Sequence, residues 1–243
     1  MREHVSPRGR VDYVSLKSNP EQLDAFYAQI ATYSPDSHPQ FFPDREDRLA
    51  YWINAYNATV LRTVIEHYPI ESVADVETPF YLPDKSGFFL LQRLTYGGAA
   101  TSLYFLENNV IRKRFNDPRI HFALNCASIG CPELPRTPFL PKTLDKQLDF
   151  ETRKFVNDPR QVRFDPKTNT LWLSSIFKWF RSDFTRSPGK DEPVDLANYV
   201  RHYLHPAKRA QLDSLGPDPK IGFLAYDWSL NAESQSRARS GEN

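Results

Sequence analysis

The chain has 243 residues, enough for one substantial core or for two small domains at most. Its 31 lysine and arginine residues stand against 30 aspartate and glutamate residues, and this net charge of +1 gives no reason to expect nucleic acid or an acidic membrane as the main partner. Since no apolar run is long enough to span a bilayer and no apolar signal segment follows Met1, we expect a soluble protein, cytoplasmic as given, or periplasmic or secreted if a signal peptide has been removed.

The first half of the chain predicts helices joined by proline-rich loops. Residues 1–12 are basic and are expected to be loose. The segment "NPEQLDAFYAQIATY" predicts a helix with Asn19 as its N-cap. The strongest helix signal covers residues 46–68, where apolar side chains recur every three or four positions until a proline ends the pattern. Residues 70–98 fit either a pair of strands or an extended arm.

The second half mixes helices with short strands. Helices are predicted over residues 103–115 and 144–156, and the apolar run of residues 119–126 predicts a buried strand. "VRFDPKTNTLWLS" predicts a hairpin, "SSIFKWFRSDF" and "VDLANYVRHYLHP" predict helices, and "IGFLAYDWSLN" predicts a closing strand. The polar residues 233–243 are expected to be a disordered tail.

These elements predict an α+β fold. It is a single, mostly helical domain over residues 13–232, built around a small sheet. Such a fold is compatible with the arrangement of a papain-like or transglutaminase-like cysteine enzyme.

The stretch "PRIHFALNCASIGCPELP" holds both cysteines of the chain, Cys126 and Cys131. Gly130 lets the backbone turn at positive φ. Pro132 could open a helical turn with Cys131 near its amino end, where the partial positive charge favours a thiolate. The pattern therefore predicts a reactive cysteine.

Three other interpretations of the pair stay open. Buried cysteines often only fill space, and a disulfide between Cys126 and Cys131 is sterically possible across a tight loop. A mixed zinc site that adds His121 and Glu107 is a further alternative. If residues 121–126 are extended, His121 and Cys126 lie roughly 16 Å apart and on opposite faces, so the spacing does not predict a directly bonded pair.

Two polar features accompany the cysteines. Asn54 and Asn57 lie three positions apart on a helix that is otherwise apolar almost all round, and a buried amide without partners costs about 1–3 kcal/mol. We expect one of them to bond to the loop of residues 125–132 or to His121. Asp227, in "YDWSLN", either caps a turn or contacts a substrate.

Five blocks of the chain resemble the domain-of-unknown-function family 547, in order and spacing. They are "YWINAYNATVL", "GGAATSLYFLENNVIRKRFNDPRIHFALNCASIGCPELP", "LDKQLDFETRKFVN", "WLSSIFKWFRSDF" and "YDWSLN". The resemblance covers roughly residues 10 to 232. It implies a single-domain protein, often exported in bacteria and joined to a coiled-coil segment in plants, and supplies no established reaction. The family usually has Glu-His where this chain has Glu107 and Asn108.

Two classes of function follow from the motifs. The first is a cysteine-dependent hydrolase or acyltransferase that acts on a small molecule, a peptide or a protein, without cofactor or metal. The second is a non-catalytic binding or scaffold module whose cysteines are structural or redox-sensitive. The residues predicted to converge on one catalytic cleft are Glu107, His121, Cys126 and Cys131, with Arg112 as a candidate to hold a carboxylate. The predicted substrate-binding or orienting residues are Asn54, Asn57, Asn125, Ser128 and Asp227.

Overall fold

The computed structural model of the chain describes residues 2–186, 195–216 and 218–233. Helices and small sheets together confirm the α+β class. The described residues group into two compact units. The first unit takes its residues from 1–115, 124–144 and 228–243, and the second unit from 116–123 and 145–227.

The first unit is organised by one long helix. Its first four helices are α1 (Tyr13–Ser18), α2 (Glu21–Thr32), α3 (Arg45–His67) and α4 (Ser86–Phe89). A capping box of Asp44 and Asp47 starts α3, and the interior of the helix is buried almost all round, as its apolar pattern requires. The predicted helix over residues 46–68 is confirmed. The prediction that Asn19 caps α2 is wrong, because Asn19 ends α1 and donates its side-chain N–H to the Ser15 carbonyl.

A hairpin and an interrupted helix follow in the first unit. Strands β1 (Leu94–Tyr96) and β2 (Ala99–Thr101) are antiparallel and join through two glycines at positive φ. Only β1 lies within residues 70–98, which also contain a 3₁₀ turn (Val73–Asp75) and α4, so neither alternative describes the whole segment. The predicted helix over residues 103–115 is confirmed in three parts. These are α5 (Leu103–Phe105), a π-helical stretch (Leu106–Arg112) and α6 (Lys113–Phe115). π-helical turns are often found at functional sites.

The N-terminal residues of the first unit are packed, and the prediction of a loose segment over residues 1–12 is wrong for Val5 and Val11. Val5 and Val11 form an antiparallel bridge and are 2% and 0% exposed. Val11 also bridges Ala232. The two valines explain the difference from the expected loose segment, since they bury apolar surface between otherwise polar neighbours. Except for Glu233, the predicted tail lies outside the described residues.

The second unit combines a three-stranded sheet with helices. Its helices are α7 (Leu144–Val156), α8 (Ser175–Trp179), α9 (Arg181–Thr185), α10 (Leu196–Tyr203) and α11 (Pro206–Asp213). Its strands are β3 (Val162–Asp165), β4 (Thr170–Leu173) and β5 (Lys220–Phe223). β3 and β4 form the predicted hairpin, and β5 lies parallel to β4.

The predicted strand over residues 119–126 is wrong. Pro118–Phe122 form a 3₁₀ turn, with proline at its first position and the Asp117 carboxylate accepting from the Arg119 N–H. Residues 123–126 have no regular structure. A short apolar run does not distinguish a strand from a buried turn by its periodicity, and here the Asp-Pro pair starts a turn.

No helix in the described part of the chain is both long enough and apolar enough to cross a membrane.

Candidate functional site

Cys126 and Cys131 are joined by a disulfide in the first unit, so neither is a free thiol. Their Cα atoms lie 6.1 Å apart. Cys131 is only 4% exposed, whereas Cys126 is partly exposed. The Ser128 hydroxyl lies 3.4 Å from the Cys126 sulfur and 3.5 Å from the Cys131 sulfur. Of the interpretations that the sequence leaves open, the structure contains the disulfide; a reactive thiol stays a prediction about the reduced protein.

Asn125 closes the loop around this disulfide. Its side-chain N–H donates to the Pro132 carbonyl at 2.7 Å, and its Oδ1 accepts from the Ala127 N–H at 2.9 Å and from the Asn231 side chain at 3.3 Å. Its own backbone N–H donates to Asn57 Oδ1 at 2.9 Å. Because all these groups are buried, the loop keeps its shape through a polar network inside the first unit.

The C-terminal segment of the first unit completes this network. The Tyr13 hydroxyl donates to Asn231 Oδ1 at 2.7 Å, and the Asn231 N–H donates to the Ala127 carbonyl at 3.0 Å. Burial raises the pKa of Tyr13, so its phenol remains a neutral donor. The Ile129 N–H donates to the Ser229 carbonyl at 2.8 Å. The disulfide loop is therefore held on two sides, by α3 and by residues 229–231.

The two asparagines of α3 hold different segments. Asn57 accepts from the disulfide loop, which confirms the predicted amide-to-loop contact. Asn54 donates to the Phe139 carbonyl at 2.8 Å and accepts from the Phe139 N–H at 2.9 Å. One helical face thus fixes both the disulfide loop and the proline-rich segment 134–139 that follows it.

We expect Asn54→Ala to lower the free energy of unfolding by about 1–3 kcal/mol, because the Phe139 N–H loses its partner in a buried position. Asn54→Asp is the matched variant, since it keeps an acceptor for the Phe139 N–H but places a carboxylate oxygen against the Phe139 carbonyl oxygen. It should therefore also unfold at a lower urea concentration than wild type. We call the two hydrogen bonds between the Asn54 side chain and the Phe139 backbone the Asn54 clamp. Equal stability of wild type and Asn54→Ala would contradict its role.

A groove of about 850 Å³ lies beside these asparagines, within the first unit. Its floor is the α3 face that carries Asn54, Asn57 and Leu61, and the segment 134–139 forms one wall. The N-terminal residues 2–5 and parts of α1 and α2 form the remaining walls. Its size lies in the range of ligand-binding sites.

His121 belongs to the second unit and forms an imidazole–carboxylate pair there. Its Nε2 lies 2.8 Å from Asp183 Oδ2 in α9, and the Phe180 ring stacks on the imidazole at a centroid distance of 4.1 Å. The imidazole is 3% exposed. The carboxylate and the stacked ring fix its orientation. For the segment "SSIFKWFRSDF", which contains Asp183, the sequence predicts only a helix and no contact with His121.

The remaining predicted residues are Glu107, Arg112 and Asp227. Glu107 lies in the π-helical stretch of the first unit, and its Oε2 accepts from the Tyr56 hydroxyl at 3.3 Å. The Arg112 guanidinium donates to the Asn108 side chain. Asp227 is exposed and follows β5 in the second unit. The convergence of Glu107, His121 and the cysteines on one cleft stays a prediction, and so does a papain-like arrangement.

Two residues that the sequence analysis did not include in the site carry much of its geometry. They are Tyr13, the donor to Asn231, and Asp183, the partner of His121. Both are far from the motif along the chain. In the described part of the chain, no three histidine, cysteine, aspartate or glutamate side chains are grouped so that they could hold a metal ion.

Comparison with known protein families gives a match to part of the chain. Residues 40–156 match the model of the family described as "Protein of unknown function, DUF547". This segment includes α3, the interrupted helix, the disulfide loop and α7. No curated protein and no solved structure matches the chain. This match, which includes the cysteine motif and both asparagines of α3, supports the assignment of the chain to the DUF547 family.

Proposed function

We propose that this protein is a non-catalytic binding module in which the Cys126–Cys131 disulfide is a structural brace. The observation that carries the proposal is the disulfide itself, closed inside a network of buried amides. Both sulfurs are engaged in it. A thiol nucleophile would require that the Cys126–Cys131 disulfide is reduced, whereas a structural brace requires that it stays oxidised.

The disulfide is connected to the binding groove by the chain segment that follows Cys131. Cys131 is followed by Pro132, whose carbonyl accepts a hydrogen bond from Asn125, and, after Glu133, by Leu134, which is 2% exposed. The segment continues as the groove wall to Phe139, where Asn54 clamps both backbone groups. The wall is thus fixed at its start by the disulfide loop and at its end by α3. A preorganised wall lowers the entropic cost of binding a ligand.

Alkylation of the native protein tests this proposal. We expect iodoacetamide at neutral pH to label neither cysteine in the unreduced, folded protein, and to label both after reduction in denaturant. Peptide mapping by mass spectrometry locates the labels. A fast, single label on Cys126 in the unreduced native protein would overturn the structural role.

The second candidate is a thiol-dependent hydrolase or acyltransferase that acts in the reduced state. Cys126 is the more exposed of the two cysteines, and this favours the candidate because a nucleophile has to be accessible to its substrate. In this candidate the Cys126 thiolate attacks a carbonyl carbon, the leaving group departs with a proton, and water then releases the acyl group. His121, paired with Asp183, is its candidate base.

The two candidates differ after mild reduction with dithiothreitol. The enzyme predicts that one cysteine reacts with iodoacetamide much faster than an ordinary thiol at neutral pH, and that His121→Ala slows the reaction. The binding module predicts slow labelling of both thiols and no effect of His121→Ala beyond a change in stability.

A further inference from the structure

The groove of the first unit has apolar residues beside the two asparagines of its floor, and charged residues at its rim. Leu16, Leu61 and Leu134 lie in its lining and are at most 6% exposed, while Phe26 in its wall is 37% exposed. A ligand that covers this lining would remove further apolar surface from water. The floor therefore favours a ligand with apolar side groups.

One wall of the groove offers main-chain groups that are not used elsewhere. Pro135 and Pro138 have no N–H, and the N–H groups of Arg136 and Thr137 donate to no acceptor among the described residues. The wall belongs to no helix or strand, yet the Asn54 clamp on Phe139 fixes its end. Such a wall can exchange hydrogen bonds with another polypeptide main chain, as in other modes of peptide recognition.

A buried imidazole nitrogen also lies at the groove. His4 lines it, and His4 Nδ1 is shielded from water without a hydrogen-bond partner among the described residues. A buried polar atom without a partner is uncommon in a folded protein and costs free energy until a partner arrives. Because water does not reach this nitrogen, a ligand amide becomes its partner only if the imidazole turns to face the groove.

The charges around the groove are balanced. Arg2 and Arg136 contribute two positive charges, and Glu3 and Glu21 contribute two negative charges. A polyanionic ligand would require a surplus of basic residues, which this rim does not have. The rim therefore suits a ligand of low net charge that carries both donors and acceptors.

We propose that this groove binds a short peptide of low net charge, with its apolar side chains on the floor and its main chain hydrogen-bonded along residues 136–137. This inference rests on the proposed binding-module function and names its ligand class. A peptide is the ligand that supplies apolar side chains, paired donors and acceptors, and little charge at the same time.

The test is a selection from a library of N-acetylated, C-amidated hexapeptides on the full chain. We expect enriched peptides that bind wild type but not Ala58→Phe, because the added ring occupies the groove floor. Since Ala58 is 9% exposed, the melt of that variant is checked first. Phe26→Ser, at an exposed position, is the second variant, and we expect it to weaken binding about tenfold.

Two controls make the selection decisive. Phe41→Ser removes a phenyl ring that is 61% exposed and lies outside the groove, and it should leave the affinity unchanged within about twofold. Thr137→Pro should weaken binding about tenfold, because it removes a wall N–H that donates to the peptide carbonyls, whereas Thr137→Ala keeps that N–H and should bind like wild type.

The inference is overturned if no hexapeptide is enriched over the Ala58→Phe protein, or if Phe26→Ser and Phe41→Ser bind the best peptide equally well. It is also overturned if Thr137→Pro binds the best peptide as tightly as Thr137→Ala does. The alkylation experiment distinguishes the two proposals. If peptide selection fails while native Cys126 stays unlabelled, only the ligand class is wrong; if Cys126 labels in the unreduced native protein, the binding-module function itself fails.

Discussion

We expect Phe177→Ala to lower the free energy of unfolding of the second unit by about 3–5 kcal/mol, as is typical when a fully buried phenylalanine is truncated. Phe177 is 0% exposed and lies at the centre of an aromatic cluster. Its ring centroid is 4.8 Å from that of Phe184, 5.7 Å from that of Phe122 and 6.3 Å from that of Tyr199. The truncation removes these contacts and leaves a cavity that the neighbouring rings fill only in part.

Phe150→Ala is the matched control, because Phe150 lies in α7 of the same unit and is 63% exposed. We expect it to change the stability by less than about 1 kcal/mol. Urea titration gives the free energies, and hydrogen exchange assigns the loss to the second unit. Equal effects of the two substitutions would contradict the described core.

We expect Asn125→Ala to lower the free energy of unfolding of the first unit by about 3–5 kcal/mol. The side chain makes three hydrogen bonds, and its removal leaves the Pro132 carbonyl and the Ala127 N–H buried without this partner. Each such orphaned group costs about 1–3 kcal/mol. The Asn231 side chain loses an acceptor as well.

Asn109→Ala is the control for this prediction, since Asn109 is exposed and lies in the same unit. It should change the stability by no more than about 0.5 kcal/mol. If the free energies of unfolding of Asn125→Ala and Asn109→Ala both equal that of wild type, Asn125 does not organise the loop.

Elements with strong local signals could be predicted from the sequence. The helix over residues 46–68 carries an apolar repeat and a stop, and the structure has it as Arg45–His67. The helix over residues 144–156 is found with the same bounds. The hairpin of β3 and β4 has a turn-rich centre between two apolar runs. In each case local residues are sufficient to set the element.

Elements that depend on a single cap or on tertiary contacts could not be predicted as well. The run at residues 119–126 is apolar but too short for its period to be informative, and the Asp117 cap starts a 3₁₀ turn instead of a strand. The packing of Val5 against Val11 depends on a bridge to Ala232 at the other end of the chain. Composition alone describes that N-terminal segment as basic and loose.

The sequence predicts one polar contact of the candidate site, between α3 and the disulfide loop. It does not predict which residues from distant segments of the chain bond to the site residues. Asn57 and the loop backbone were expected to meet because both are polar groups in apolar surroundings, and they do. The disulfide was one of four interpretations, since spacing alone does not distinguish it from the others. The Asp183 partner of His121 lies 62 positions away in the chain, a distance at which no local pattern indicates contact.

The unfolding free energy of wild type, measured with and without dithiothreitol, tests the structural role of the disulfide most directly. Because the bond closes a short loop between Cys126 and Cys131, we expect reduction to lower the stability by about 2 kcal/mol. The double variant Cys126→Ser/Cys131→Ser should have the lower stability already and should not respond to dithiothreitol. A wild-type protein whose free energy of unfolding is the same in both conditions, with reduction verified by mass, would contradict the account.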